Sequence, residues 1–379
     1  MIAESFIRLV RQIYGESDLV ALHRPVFGGS EREDLTACID SNFVSSVGEK
    51  VTELEGRVAD FTGAKFGIGV VNGTNALQVA LRLVGVEHGD EVITQALTFV
   101  ATCNAIAYLG AKPVFVDVES TTLGMSPDAL REFLTEFGDI RDGSCFNCVT
   151  GKRIAACQPM HTFGHPVRID EIVSICDEWC IPLVEDAAES LGSYYKGQHT
   201  GTFGRAGIFS FNGNKIITTG GGGMIVTNDE ALAKRAKHLT TTAKVPHPYE
   251  FIHDELGYNF RMPNLNAALG CAQMAQLQEF LGAKRKIAAR YESLCQELGV
   301  EFVREPEGAQ SNYWLNAIVL DNKEVRDRFL QETNDAGVMT RPIWRLMTDL
   351  PMYADCQHGG LPVSQWLEQR VVNLPSSVP

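Results

Sequence analysis

Short apolar runs alternate with amphipathic stretches through the first two thirds of the chain. The runs predict strands, and the stretches between them predict helices that carry an apolar stripe. Ser126 followed by Pro127 is a typical helix start, because serine caps backbone N–H groups and proline fits the first turn. This alternation predicts a largely parallel sheet covered by helices on both faces. The predicted strands are 66–71, 91–94, 113–118, 153–157, 181–185, 207–211 and 223–227, and the predicted helices are 74–84, 100–109, 128–137 and 169–180.

The pattern changes after about residue 255, where helical periodicity dominates. We predict helices over 264–281 and 283–298, a strand near 314–320 and a helix near 323–335. A basic run, Lys284-Arg285-Lys286 with Arg290, is interpreted as a solvated helix face. The expected organisation is an N-terminal lead-in segment (1–30), a large domain (31–255) and a small C-terminal domain (256–379).

Composition and charge narrow the classes of partner. The 379 residues include 33 Lys and Arg against 47 Asp and Glu, a formal charge of −14. This acidic balance argues against a nucleic-acid partner, which needs a basic face. No apolar run approaches the ~18 residues of a membrane helix, and the first residues do not resemble a signal peptide. We therefore expect a cytoplasmic protein with no nucleic-acid or membrane partner.

Ten cysteines raise the question of a metal site. Cys145 and Cys148 form a Cys-x-x-Cys pair, with Cys157 and His161 downstream. Zinc binding by these four is conceivable, but their spacing matches no common zinc pattern. We interpret the cysteines as reduced thiols and expect no metal.

Unusual chemistry follows three of the predicted strands, at the edge where open α/β sheets bind ligands. The first place is Asn72-Gly73-Thr74-Asn75, where a strand turns directly into a helix. A glycine lets a ligand approach the backbone, and the first helical N–H groups attract anions. An ordinary helix cap explains the same residues equally well.

The second place is Glu185-Asp186, two acids at the end of an apolar strand. Burying a carboxylate without a partner is costly. A metal or a cationic ring nitrogen would satisfy one of them, and so would a structural ion pair or a helix cap.

The third place is Lys215, in a loop between two apolar strands and ahead of four glycines, 220–223. Partial burial lowers the pKa of a lysine and makes its amine a nucleophile, as a Schiff-base lysine requires. The glycines would let the backbone pass close to a bulky cofactor. Phosphate-loop and dinucleotide motifs are absent from the sequence. An anion cradle, an acid and an amine together are the contacts that pyridoxal 5'-phosphate needs.

The chain resembles the DegT/DnrJ/StrS-type sugar aminotransferases of fold type I over nearly its whole length. This resemblance implies an α/β fold, with a three-layer αβα large domain around a mostly parallel sheet plus a smaller α+β C-terminal domain. The blocks that carry it are Asn72-Gly-Thr-Asn-Ala-Leu, Thr98-Phe-Val-Ala-Thr, Val184-Glu-Asp-Ala-Ala-Glu, Ser210-Phe-Asn-Gly-Asn-Lys and Gly257-Tyr-Asn-Phe-Arg-Met.

The resemblance implies a role for particular residues. Lys215 would bond to the cofactor and then shuttle a proton, and Asp186 would pair with the pyridine nitrogen. Glu189 stands where the family more often has Gln or His, near the ring hydroxyl. The other implied cofactor contacts are Phe99 on the ring face, Gly73, Thr74 and Ser210 on the phosphate, and Asn259 on the phosphate of the neighbouring subunit. The implied assembly is therefore a homodimer with shared active sites.

The implied reaction takes an amino group from L-glutamate and passes it to a nucleotide-linked keto sugar. Since Lys215 is present, the dehydratase branch, which has histidine there, is rejected. Several segments are similar to enzymes of legionaminic acid and bacillosamine pathways, which aminate C4 of UDP-4-keto-6-deoxy-N-acetylglucosamine. These segments are 7–8, 13–15, 22–25, 43–48, 341–344, 350–353 and 373–377. Ser30 departs from that pattern, where Asn is expected. GDP-linked sugars of the perosamine type, 3-keto sugars and a non-catalytic regulator are the alternatives.

Three further residues are candidate substrate contacts: Gly48, His161 and Arg261. His161 would line the pocket or be a satisfied structural histidine. Arg261 would meet the diphosphate of the nucleotide or only fix the loop that carries Asn259. Trp344 and Trp366 are expected to pack within the small domain.

Overall fold

The structure is a computed structural model that describes residues 2–16 and 18–379. Its helices are α1 (Ile2–Tyr14), α2 (Glu31–Asp40), α3 (Glu49–Thr62), α4 (Gly73–Leu83), α5 (Val100–Ala107), α6 (Pro127–Phe137), α7 (Ile169–Glu178), α8 (Glu230–Thr240), α9 (Asn264–Leu298), α10 (Lys323–Asp335) and α11 (Pro362–Glu368). Its strands are β1 (Phe66–Val70), β2 (Glu91–Gln95), β3 (Lys112–Val116), β4 (Gly138–Arg141), β5 (Ser144–Asn147), β6 (Ile154–Gln158), β7 (Val184–Asp186), β8 (Tyr194–Tyr195), β9 (Gln198–His199), β10 (Ala206–Ser210), β11 (Gly223–Thr227), β12 (Lys244–Val245), β13 (Ile252–His253), β14 (Glu301–Phe302), β15 (Ala309–Gln310), β16 (Asn316–Val319), β17 (Arg341–Pro342) and β18 (Val371–Leu374).

A mostly parallel sheet forms the centre of the large domain. Hydrogen bonds link β1-β11-β10-β7 and β3-β2-β6. The two groups join where Cys157 N donates to Pro182 O and Asp186 N donates to Pro159 O, both at 2.9 Å. The strand order is therefore β1-β11-β10-β7-β6-β2-β3, and β11 is the antiparallel strand. The predicted largely parallel sheet is confirmed.

Helices cover both faces of this sheet, because alternate residues of each strand point to opposite sides. Ile225 of β11 packs with α4, α5 and α8, whereas its neighbours Met224 and Val226 pack with α3 and the first half of α9. Helices α6 and α7 complete that second face. The expected three-layer αβα arrangement is confirmed.

A second, antiparallel sheet in the order β14-β16-β18-β17 forms the smaller C-terminal domain. One face packs against α1, α10 and the second half of α9. The other face, with Ala317 and Val371, packs against Phe163 and Leu97 of the large domain. The second sheet therefore packs beside the edge of the large sheet at which Leu97 and Phe163 lie.

The small domain is also attached to the far edge of the large sheet. Phe115 of β3 exchanges backbone hydrogen bonds with Gln357 and Gly359. Asp117 caps α11, because its carboxylate accepts from Val363 N at 2.9 Å and from Ser364 N at 2.8 Å.

Helix α9 differs from the prediction of two helices. It runs without a break through Gly282, where an added Cβ would meet nothing within 4 Å. Its first half packs on the large domain and its second half on the small one. The domain boundary at residue 255 thus stays a prediction.

The interpretation of 284–290 as a solvated face is wrong for Lys284. Its side chain is fully buried, while Arg285, Lys286 and Arg290 are exposed. At that position α9 passes beneath the N-terminal and C-terminal segments of the chain, which cover Lys284.

Within the described residues no helix has the length and apolar character to cross a membrane.

Candidate active site

The three predicted places come together at one edge of the large sheet. β1 leads into α4 at Gly73, β7 ends at Asp186 and β10 ends at Ser210. An added Cβ at Gly73 would lie 2.9 Å from the Cβ of Ser210. Lys215 Nζ lies 3.2 Å from Glu189 Oε1, three residues beyond Asp186. The fold therefore assembles one site from segments that are far apart in the sequence.

The first turn of α4 provides a place for an anion. Asn72 caps the helix, since its Oδ1 accepts from Asn75 N at 2.7 Å. The close approach of Gly73 to Ser210 brings the helix N-terminus and a hydroxyl to the same point. Backbone N–H groups at a helix start lack helical partners and carry partial positive charge. The start of α4 at Gly73 and Thr74, together with the Ser210 hydroxyl, is therefore suited to an anion, and a role in binding phosphate stays a prediction.

The glycines after Lys215 are needed for packing inside the protein. A Cβ at Gly223 would lie 2.6 Å from the backbone of Asn72, and one at Gly222 would overlap Thr219 Oγ1. Gly220 has a φ of +78°. The close approach is therefore between β11 and the start of α4, which explains these glycines without a cofactor.

Glu185 and Asp186 have different surroundings, because neighbouring residues of a strand point to opposite faces. The carboxylate of Glu185 accepts from the backbone N–H groups of Gly201, Phe203 and Gly204 at 2.7–2.8 Å. Its Oε2 also lies 3.1 Å from His161 Nε2. Glu185 is therefore a structural acid that fixes the loop before β10.

The carboxylate of Asp186 faces the site. It accepts from Thr102 Oγ1 at 2.8 Å and from Ala188 N at 3.2 Å. Burial raises its pKa, against the opposing effects of these two donors and of Lys215. In the described part of the chain Asp186 forms no ion pair closer than 4 Å. A cationic N–H from a bound group would supply that partner.

Lys215 lies between an acid and an aromatic ring. Its side chain is 11 % exposed, and Nζ donates to Glu189 Oε1 at 3.2 Å. The second oxygen of Glu189 accepts from Phe163 N at 2.9 Å. Burial raises the pKa of Glu189 to about 7, although Lys215 lowers it. Glu189 can therefore exchange a proton near neutral pH.

Aromatic side chains form the wall of the site on the small-domain side. Phe99 directly precedes α5 and is 47 % exposed, with its ring 6.2 Å from that of Trp344. Trp344 in turn packs on Phe163 at 5.1 Å. Phe99 thus presents an open ring face, and Trp344 lies beside the site in addition to packing within the small domain.

His161 is fully buried, and both of its ring nitrogens have partners. Nε2 donates to Glu185, and Nδ1 accepts from Val167 N at 3.3 Å. These contacts favour the structural alternative for His161. A contact with substrate stays a prediction.

The cysteines do not form a metal cluster with His161 in the part of the chain that the structure describes. Among the described residues, a different group could offer ligand atoms to a metal: His238, Asp254 and Glu255, whose ligand atoms lie within 4.8 Å of one another. Arg235 already contacts both oxygens of Glu255, at 3.0 and 2.9 Å. This surface group is therefore satisfied by an arginine.

Gly48 precedes α3, where a Cβ would overlap the side chain of Asn264. Packing alone explains this glycine, and its proposed contact with substrate stays a prediction.

Arg261 is 8 % exposed and lies beside α3 and β1. Its Nη1 donates to Glu55 Oε1 at 2.7 Å and to Gly69 O at 3.1 Å. These bonds favour the alternative in which Arg261 fixes the segment that carries Asn259. The side chain of Asn259 is exposed in the single subunit.

Sequence reasoning did not single out Thr102 and Trp314. Thr102 Oγ1 donates a hydrogen bond to the carboxylate of Asp186. The feature of the sequence that could have indicated Thr102 is its position in the first turn of a predicted helix, four residues after Thr98. The ring of Trp314 covers Nζ of Lys215 at 3.8 Å. Nothing in the local sequence of Trp314 indicates this contact, because it depends on how the two domains meet.

Comparison with known proteins agrees with this architecture. Residues 26–379 match the DegT/DnrJ/EryC1/StrS aminotransferase family. The chain is 40 % identical to the putative pyridoxal phosphate-dependent aminotransferase EpsN of Bacillus subtilis (strain 168), over 88 % of this chain and 84 % of that protein. It is 35 % identical to the GDP-perosamine synthase of Escherichia coli O157:H7, over 94 % of this chain and 93 % of that protein.

A solved structure shows the same fold. The aminotransferase TlmJ from Streptoalloteichus hindustanus is 29 % identical and superposes with a TM-score of 0.84, covering 94 % of this chain and 93 % of that chain. The chain belongs to the DegT/DnrJ/EryC1/StrS family and is a pyridoxal-phosphate-dependent sugar aminotransferase of fold type I.

Proposed function

We propose that this enzyme transfers an amino group from L-glutamate to C4 of a nucleotide-linked 4-keto-6-deoxy sugar, with UDP-4-keto-6-deoxy-N-acetylglucosamine as the first candidate. The observation that carries the proposal is the position of Lys215 Nζ, 3.2 Å from Glu189 in a site that also contains Asp186 and the start of α4. An amine, two buried acids and an anion site are what transamination of a phosphorylated cofactor requires.

The residues of the site fit pyridoxal phosphate. Gly73 lies so close to Ser210 that an added Cβ would approach the Cβ of Ser210 to 2.9 Å and its Oγ to 3.2 Å, at the start of α4. Asp186 is a buried carboxylate whose pKa is raised by burial. A protonated ring nitrogen would stabilise it as an ion pair. Phe99 presents an open ring face for a planar group.

Each residue then has a part in the chemistry. When bound, the cofactor supplies an electron sink for the carbanion formed at the amino-bearing carbon. Gly73, Thr74 and Ser210 would bind its phosphate, and Asp186 would hold a proton on the ring nitrogen. Nζ of Lys215 removes and returns the proton at the reacting carbon, and Glu189 Oε1 orients that amine.

Three segments that suggested the UDP-sugar subgroup lie together on the small-domain side of the site. His23 and the backbone of Ser376 both contact Lys284, whose Nζ also donates to the carbonyl of Trp314. Trp344 packs against Phe99. This convergence supports a role for these segments in recognising the sugar.

A GDP-linked sugar is the second candidate. Three relatives at 33–35 % identity that cover most of this chain are GDP-perosamine synthases. That similarity favours the same type of amination on a different nucleotide.

Two half-reactions test the proposal. The purified enzyme with pyridoxal phosphate should show a visible absorption band that disappears when glutamate is added. UDP-, GDP- and dTDP-linked 4-keto and 3-keto sugars are then presented separately, and the UDP-4-keto sugar should restore the band fastest. A protein that stays colourless after the cofactor is added contradicts the proposal, and recovery with 3-keto sugars alone contradicts the C4 assignment.

The working unit that we propose is a homodimer with shared active sites. Asn259 is exposed, and so are Tyr249, Phe251 and Leu256, which precede it by ten residues or fewer in the chain. Large apolar side chains left exposed are typical of protein–protein interfaces. A second subunit would cover them and bring Asn259 to the neighbouring phosphate.

A further inference from the structure

The indole ring of Trp314 lies over the amine of Lys215. The distance from Nζ to the ring centroid is 3.8 Å, and Trp314 is 4 % exposed. The amine therefore has the carboxylate of Glu189 on one side and an aromatic face on another. A desolvated ammonium group over an indole face is a favourable cation–π arrangement.

Trp314 is held at three points. Its backbone N donates to Asn312 Oδ1 at 2.8 Å, and its Nε1 donates to the carbonyl of Asn214 at 2.6 Å. Its own carbonyl accepts from Lys284 Nζ at 3.0 Å. The preceding residue, Tyr313, has a φ of 47°, which is unfavourable for a residue other than glycine. The position of the ring is thus strongly determined by its surroundings.

Lys284 is an uncommon support for a tryptophan. It is fully buried, and Nζ also donates to Ser376 O at 2.6 Å and lies 2.8 Å from His23 Nε2. Burial lowers its pKa to about 7. Across the described residues no carboxylate lies within ion-pair distance of it. Burying a lysine without a counter-charge is costly, and the polar atoms around Nζ, among them the carbonyl of Trp314, offset part of that cost.

We propose that Trp314 is a cation-binding face that holds the free ammonium group of Lys215 while the amino group resides on the cofactor. The proposal rests on the proposed function, because Lys215 is free only in that part of the reaction. In the transfer from glutamate, the bond between Lys215 Nζ and the aldehyde carbon of the cofactor breaks. The amino group of glutamate passes to that carbon. The α-hydrogen of glutamate passes to the same carbon as a proton.

Water supplies the keto oxygen of 2-oxoglutarate in this exchange, and Nζ is left as an ammonium group. Any interaction that stabilises the free ammonium group therefore shifts the equilibrium toward the amine form of the cofactor. Weakening the aromatic face should shift that equilibrium back.

The test changes the electrostatics of the ring while keeping its shape. The enzyme is produced with tryptophan and with trifluorotryptophan, whose ring face attracts cations poorly. For each preparation the visible band is measured at equilibrium over a series of glutamate to 2-oxoglutarate ratios. We expect fluorination to raise the ratio at the midpoint by on the order of tenfold. An unchanged midpoint would overturn the proposal.

Trp314→Phe provides the matched control. The protein has four tryptophans, and three of them remain in this variant. Fluorination should therefore leave the midpoint of Trp314→Phe unchanged. If fluorination shifts this midpoint as much as that of the wild type, the effect comes from another tryptophan and the proposal is overturned. Trp366→Leu, which removes a surface contact with Arg370, should behave as the wild type. Failure of the proposed function is distinguishable, since the wild-type band would then not respond to glutamate.

Discussion

Glu185 and Asp186 are adjacent in the sequence and carry out different tasks. The sequence could predict that two acids end a buried strand and that one of them needs a cationic partner. It could not predict that Glu185 is satisfied by backbone N–H groups of 201–204, because that loop returns from beyond β9. Thr102, which binds Asp186, comes from a separate helix.

Substitution of the two acids should separate these tasks. Asp186→Asn should fold with little loss of stability and lower the rate of amine transfer on the order of a hundredfold or more, because the ring nitrogen loses its proton. Glu185→Gln should lower the free energy of unfolding by roughly 2–4 kcal/mol, because charge-assisted hydrogen bonds are lost. Denaturation curves and half-reaction rates measure both. Full activity of Asp186→Asn would contradict the assignment.

The pKa of Glu189 leads to a prediction about stability. The ordinary glutamate value is 4.5, and burial raises that of Glu189 to about 7. Between these values the folded protein binds more protons than the unfolded chain, so Glu189 destabilises the native state increasingly as the pH rises. Relative to Glu189→Gln, the cofactor-free wild type should lose roughly 1–3 kcal/mol of unfolding free energy from about pH 5 to about pH 8.

Chemical denaturation at the two pH values measures this difference. Glu307→Gln, at an exposed residue, controls for the general effect of removing an acid. The free energy of unfolding of the wild type is compared with that of Glu189→Gln at both pH values. If their difference stays constant, or changes in favour of the wild type as the pH rises, the result argues against the raised pKa.

At the scale of elements, the local pattern of apolar and polar residues predicts most helices and strands of the large sheet close to their observed positions. The predicted helix 128–137 is observed as Pro127–Phe137, because Ser126 Oγ accepts from Ala129 N and proline fills the first turn. The two predicted helices, 264–281 and 283–298, meet at Gly282, and glycine is unfavourable in a helix interior. Tertiary packing at both ends of α9 outweighs that local preference.

The start of α4 can be tested by one added methyl group. Gly73→Ala should weaken binding of pyridoxal phosphate about tenfold or more, because the new Cβ would lie 2.9 Å from that of Ser210. Gly56→Ala is the control, since a Cβ there meets nothing within 4 Å. It should leave cofactor affinity unchanged and stabilise α3 by about 0.5–1 kcal/mol. Titration of the visible band measures affinity, and equal affinities in the two variants would rule out the anion site at Gly73.

At the scale of the whole molecule, contacts between distant segments lay beyond the sequence. Asp117 and α11 are separated by about 246 residues, and their hydrogen bonds link the domains. The burial of Lys284 has the same origin, since its partners His23 and Ser376 lie near opposite ends of the chain. A single sequence shows the basic run but not the segments that cover it.

The shared active site predicts complementation between two inactive chains. Lys215→Ala and Asn259→Ala should each be nearly inactive alone. After the subunits exchange, a mixed dimer would contain one intact site, so random mixing should restore about a quarter of the wild-type rate. Subunit exchange is verified by native mass spectrometry of differently tagged chains. Absence of recovery despite exchange would argue against the shared site.

The central claim is that this enzyme, with Lys215 as its proton carrier, passes the nitrogen of glutamate through the cofactor to a nucleotide-linked keto sugar. The most direct measurement follows that nitrogen. The enzyme is incubated with glutamate labelled with heavy nitrogen and with UDP-4-keto-6-deoxy-N-acetylglucosamine, and the sugar product is analysed by mass spectrometry. We predict a 4-amino sugar that carries the label with the wild type and none with Lys215→Ala. Wild-type enzyme that shows the visible band with pyridoxal phosphate but labels neither this sugar nor its GDP- or dTDP-linked counterparts would contradict the account.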